Sequence, residues 1–117
     1  MPEKQLKWIR VVISEKELQW NEKGICIIEA NSKKISLALH KGVLYAFAHK
    51  CPHAGGILAD GKIMANGCIV CPLHRYSFHV KSGFNTSGEG YFLQTYPVEK
   101  KEDGIYVGFK NESWFTL

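Results

Sequence analysis

Short runs of β-branched and aromatic residues recur along this chain, each closed by a turn signal, and that pattern constrains the fold more than any other feature. Candidate strands fall at residues 8–13, 24–29, 35–40, 43–48, 62–65, 68–70, 77–80, 92–99 and 105–109. Lys41-Gly42, Asn66-Gly67 and Glu102-Asp103-Gly104 lie between neighbouring runs, so three hairpins are expected, Asn-Gly favouring the turn whose twist matches the strands. Helical periodicity is nearly absent. Ser14 and Glu17 have capping-box spacing and predict a single helical turn, and residues 83–90 read as an irregular loop. The expectation is an antiparallel all-β domain.

A chain of 117 residues leaves room for one core, so a single domain over residues 1–117 is expected. No apolar run approaches the roughly 18 residues that cross a bilayer, and the opening Met-Pro-Glu-Lys-Gln lacks the apolar stretch of a secretion signal. A cytoplasmic protein with no membrane partner is expected. The net charge of +4 is modest and its lysines are scattered, so nucleic acid is not an expected partner either. In a reducing compartment Cys26, Cys51, Cys68 and Cys71 point to metal binding in preference to disulfides.

Two stretches carry metal-ligand chemistry. Cys51-Pro52-His53-Ala54-Gly55-Gly56 offers one thiolate and one imidazole, and Cys71-Pro72-Leu73-His74 offers another pair. Thiolate suits iron and zinc, and imidazole suits both. Structural zinc sites usually present C-x2-4-C and H-x3-5-H, so C-x-H followed by C-x2-H departs from their format, which leaves a zinc-stabilised binding module as the weaker alternative. Pro52 and Pro72 stiffen the two loops, while Gly55 and Gly56 let backbone N–H groups approach a bound centre.

With this spacing the chain resembles the Rieske iron–sulfur proteins. The resemblance continues through residues 42–47, Gly55-Gly56-Ile57-Leu58, Asp60-Gly61, Phe78, Gly83, Tyr96-Pro97-Val98 and Asp103-Gly104, and so covers most of the chain. It implies one two-iron, two-sulfur cluster, with Cys51 and Cys71 on one iron and His53 and His74 on the other. It also implies a cluster-binding subdomain at about residues 50–83, inserted into an antiparallel β sandwich or barrel. The respiratory members carry two further cysteines where this chain has Gly56 and Leu73. It is therefore more similar to the soluble ferredoxins of ring-hydroxylating oxygenases, or to the small subunit of assimilatory nitrite reductase. Tyr76 and Phe78 stand where the respiratory type has hydroxyl donors, which places the reduction potential in the lower half of the range of roughly −150 to +300 mV. Arg75 occupies a position that is commonly glycine in the family, either rimming the cluster or solvated.

The remaining candidates have plainer readings. Cys26, between two isoleucines, reads as a buried thiol, and Cys68, although three residues before Cys71, reads as part of the fold. His49 reads as a solvated loop residue and His40 and His79 as strand-face residues. Trp8, Trp20, Tyr45, Phe47, Phe92, Tyr106 and Phe109 suit core or sheet-face positions. With no catalytic triad and no phosphate loop, independent catalysis is not expected. The resemblance implies a one-electron carrier that takes electrons from a reductase, flavin-dependent in the leading case, and passes them to a terminal oxygenase. The alternative it implies is an accessory subunit of a larger reductase. Lys50, Lys62, Arg75 and Lys81 against Asp60 suggest an acidic docking surface on the partner.

Overall fold

The computed structural model describes residues 6–52 and 55–110. Among them ten strands follow in order: β1 (Leu6–Val12), β2 (Ile25–Ala30), β3 (Lys33–His40), β4 (Val43–Ala48), β5 (Lys62–Ile63), β6 (Cys68–Val70), β7 (Ser77–His79), β8 (Thr95–Tyr96), β9 (Val98–Lys101) and β10 (Gly104–Lys110). They pair antiparallel into three sheets, ordered β1-β10-β9, β2-β3-β4-β8 and β5-β6-β7.

The four-stranded sheet is covered on both faces. Ile25 of β2 and Phe47 of β4 pack with Ile69, Phe78 and Leu58, on the side of the β5-β6-β7 sheet. Their neighbours Cys26 and Ala46, with Ile35 and Leu37 of β3, pack instead with Ile105, Val107 and Phe109 of β10. This is the two-residue alternation of a strand, read by two cores at once. It explains why four successive β3 residues, Ile35 to Ala38, are all buried. Ser36 among them is satisfied, its hydroxyl donating to the Ala48 carbonyl at 3.3 Å. Each large aliphatic side chain so buried contributes about 1.5–3 kcal/mol.

The turns follow residue chemistry, with instructive departures. Lys41 (φ 51°) and Gly42 (φ 80°) are both left-handed and join His40 to Val43 as a two-residue hairpin. At Asn66-Gly67 the turn is longer: the Gly67 N–H donates to the Met64 carbonyl at 2.9 Å, and Gly67 is left-handed. Asn66 uses its side chain, its Oδ1 accepting from the Cys68 N–H at 3.1 Å. Ser14 caps a 3-10 turn at Glu15–Glu17 as expected, but the Glu17 carboxylate accepts from the N–H of Ile13, one residue before the cap.

The single strand expected at residues 92–99 is two strands. Pro97 has no N–H to donate, and across it the chain changes sheets, Thr95–Tyr96 pairing with β4 and Val98–Lys101 with β10. Phe92 is not a core or sheet-face residue: it bridges to Phe84 in the preceding loop and is 68% exposed.

Candidate metal centre

The β5-β6-β7 sheet lies in sequence between β4 and β8, and the two candidate ligand loops are hairpin tips beside it. The first leaves β4 through the Lys50–Ile57 bridge, and the Cys51 N–H donates to the Gly56 carbonyl at 2.8 Å. The second leaves the Val70–Ser77 rung, and the Cys71 N–H donates to the Tyr76 carbonyl at 2.8 Å. The closures match: in each loop a cysteine donates to the residue five positions on, so each thiol stands at the base of an equivalent tip.

These tips bring the two thiols together. Cys51 and Cys71 are buried and free of disulfides. Burial pushes the Cys71 thiol above its usual pKa, the Cys51 thiol within hydrogen-bonding reach adds to the rise, and a hydrogen bond from the Leu73 backbone opposes it. Gly56 makes the approach possible, since a Cβ there would stand 3.0 Å from the Cys71 sulfur and 3.1 Å from Leu73 Cγ. Leu73 thus leans across Gly56 and joins the two loops by contact.

His74 sits at the exposed rim of the second tip, its ring centroid 6.2 Å from that of Tyr76. His74 (φ 63°) and Arg75 (φ 59°) are consecutive left-handed residues, a backbone that costs non-glycine residues about 1–2 kcal/mol each. His53 lies outside the described residues. Among the described residues no group of three or more histidine, cysteine or acidic side chains is gathered closely enough to hold a metal ion, so the gathering seen here is that of the two thiols.

A third loop supports the second. Buried Asn85 donates to the Ser77 carbonyl at 3.0 Å, to Ser87 Oγ at 3.1 Å and to the Glu89 carboxylate at 3.0 Å, and accepts from the Gly90 N–H at 2.8 Å. Ser77 is further tied to Ser87 and Thr86. This clamp sets Tyr91 against Tyr76, centroids 6.0 Å apart at 28°. Partial burial, then the Glu89 carboxylate, raise the pKa of Tyr76. On sequence this stretch reads as an irregular loop. Its Asn-Thr-Ser-Gly run marks a turn, but nothing local shows that Asn85 turns inward.

The other cysteines are placed inside the fold. Cys26 is buried, and burial pushes its thiol up. Cys68 is buried as well, its sulfur accepting from Thr86 Oγ1 at 3.6 Å. His49 departs from the solvated loop residue expected: its Nδ1 is buried without a partner among the described residues. Burial first, and then the Lys34 and Lys50 ammonium groups, hold its pKa below the usual histidine value.

A β domain whose two hairpin tips bring two buried, disulfide-free thiols within hydrogen-bonding reach of each other is suited to a thiolate-ligated metal centre. The chain belongs to the Rieske family: the model of the Rieske [2Fe-2S] domain matches residues 7–97. It is 30% identical over 79 residues, 67% of this chain and 75% of the relative, to the 3-phenylpropionate/cinnamic acid dioxygenase ferredoxin subunit of Photorhabdus laumondii subsp. laumondii. It is 33% identical over 89 residues to the nitrite reductase [NAD(P)H] of Emericella nidulans, covering 68% of this chain but 8% of that protein. In fold it is similar to the ferredoxin of carbazole 1,9a-dioxygenase from Nocardioides aromaticivorans IC177, with a TM-score of 0.72, 22% identity, and coverage of 86% of this chain and 95% of the other.

The protein is a Rieske ferredoxin, similar to dioxygenase ferredoxin components, and its cofactor is one Rieske-type two-iron, two-sulfur cluster. The residues present fit that group. Two buried thiols, unpaired and side by side, are the donors one iron needs, and the Leu73 backbone bonds to one of the sulfurs. Among the described residues no helix is long and apolar enough to cross a membrane.

Proposed function

We propose that Cys51 and Cys71 hold one iron of the cluster and His53 and His74 the other, and that the protein relays single electrons from a flavin-dependent reductase to a terminal oxygenase. The observation that carries this reading is the matching closure of the two tips, each with its thiol at the base and both thiols buried in one cluster. When bound, the cluster supplies a one-electron couple at a potential raised by its imidazole ligands. The chain's own residues do the rest. The β5-β6-β7 sheet and Leu58 exclude water from the thiols, Pro52 and Pro72 stiffen the tips, and His74, at the exposed rim, would with His53 pass the electron to a docked protein. The dioxygenase ferredoxin relative supports an oxygenase as acceptor. The match to a small part of a nitrite reductase supports a second reading, an accessory module of a larger reductase. Residues 50–83 serve as the cluster-binding part of one domain spanning residues 1–117, and four free cysteines support a cytoplasmic setting.

Iron and acid-labile sulfide content, with the electron paramagnetic resonance spectrum after reduction, test the assignment. Cys51→Ser and Cys71→Ser should lose the cluster, and Cys26→Ser should keep it. A colourless wild-type protein carrying stoichiometric zinc would defeat the proposal.

A further inference from the structure

Beside the second tip runs an open cleft of about 320 Å³ whose wall includes Cys71 and Pro72 and whose rim carries Lys23, Lys62 and Arg75 against one acid, Asp60. Lys23 comes from the turn before β2, Lys62 from β5 and Arg75 from the tip itself, so the fold assembles three cations from three segments. Lys50 and Lys81, grouped with them on sequence, do not line it. Lys23 Nζ donates to the Asp60 backbone carbonyl at 3.1 Å, not to its carboxylate. Among the described residues none of the three cations is in an ion pair. A second hollow of about 400 Å³ shares Lys23 and Asp60 with the cleft and adds one further acid, Glu22, so the cationic excess lies in the cleft itself. Arg75 is the telling residue. It sits at φ 59°, where glycine would be unstrained, and lines the cleft.

We infer that this cleft is the docking site for an acidic segment of the protein's redox partner, whose carboxylates pair with Lys23, Lys62 and Arg75. The inference rests on the electron-carrier reading above and deepens it. A segment seated there lies against Pro72, the exposed residue that follows buried Cys71, so the contact that gives affinity also brings the partner to the cluster loop. Arg75 contributes a planar fork suited to a bidentate carboxylate, and the lysines add point charges.

The test is titration of the cluster-loaded protein with a hexaglutamate peptide at low and moderate salt, with hexalysine and inorganic phosphate as separate arms. Hexaglutamate should bind, weaken as salt rises, and weaken about threefold in Lys62→Gln and in Arg75→Gly, as for exposed ion pairs. Arg75→Gly should leave cluster content and Tm undiminished, because it removes a left-handed arginine. Hexaglutamate binding that is absent, or as tight in both variants as in the wild type, overturns the inference, as does phosphate or hexalysine binding as tightly. Cluster content and reversible one-electron reduction, measured on the same samples, test the electron-carrier reading separately: their absence overturns that reading, and lost peptide binding beside an intact, reducible cluster overturns only this one.

Discussion

Gly61 joins the 3-10 turn at Leu58–Asp60 to β5, and its replacement by alanine isolates one steric contact. A Cβ on Gly61 would stand 2.0 Å from the Val70 carbonyl oxygen, 3.1 Å from the Val70 carbonyl carbon and 3.3 Å from the Leu58 oxygen. A carbon and a carbonyl oxygen rest about 3.3 Å apart or more, so β6 must retreat by about 1.3 Å. At φ −85° the backbone is open to any residue, so conformational strain contributes nothing. Lys62–Val70 is one of the two rungs between β5 and β6, and Val70 directly precedes Cys71. Overpacking of about 1–3 kcal/mol and the loss of a rung at about 1 kcal/mol are partly offset by the stiffer unfolded chain, leaving a net loss of about 2–3 kcal/mol. Circular dichroism melting of the cluster-loaded protein should show a Tm lower by about 10–15 °C. Visible absorption per protein should fall as the Cys71 tip shifts. Gly42→Ala is the control, a left-handed glycine (φ 80°) with no atom within 4 Å of its Cβ, and should cost about 1 kcal/mol. A Gly61→Ala protein that melts with the Gly42→Ala control and carries a full cluster would refute the steric reasoning.

Asn85→Ala strands the partners of four hydrogen bonds and should destabilise the protein by about 2–3 kcal/mol, read as a lower denaturant midpoint with an unchanged slope. The Tyr106 hydroxyl donates to Asp103 at 2.8 Å, and that bond, followed by partial burial, raises the Tyr106 pKa. The neutral phenol is therefore favoured in the folded state. Its stabilising effect is complete below the unfolded tyrosine value of about 10 and is lost as pH rises through the higher folded value. Tyr106→Phe should flatten that alkaline part of a stability–pH curve, and an unchanged curve would count against the bond. With Tyr76 and Phe78 in place of the respiratory hydroxyl donors, a redox titration should place the midpoint in the lower half of roughly −150 to +300 mV.

Much of the fold could be read from local pattern. Val43–Ala48 and Cys68–Val70 have the bounds that their residues imply, and Lys41-Gly42 makes the turn its chemistry favours. Residues 92–99 could not be resolved in the same way. A run of strand-forming residues does not say which sheet will claim it, and Pro97 proved to be the point of transfer. The thiol-bearing loops were legible because a ligand loop is local, its cysteine and histidine two or three residues apart. The Asn85 clamp was not, since a polar loop residue looks the same whether it faces solvent or is buried.

By itself, then, the sequence determined the β class, the hairpins around most turns, and the two loops that carry sulfur and imidazole, because these depend on residues within one strand or one turn of each other. Only the tertiary structure decided that Cys51 and Cys71 share one buried cluster, that Gly61 must stay bare beneath Val70, and that Lys23, Lys62 and Arg75 share one cleft. Such groupings bring together residues up to 52 positions apart, as Lys23 and Arg75 are on the rim of one cleft. Their energies depend on how sheets stack, which no local periodicity encodes.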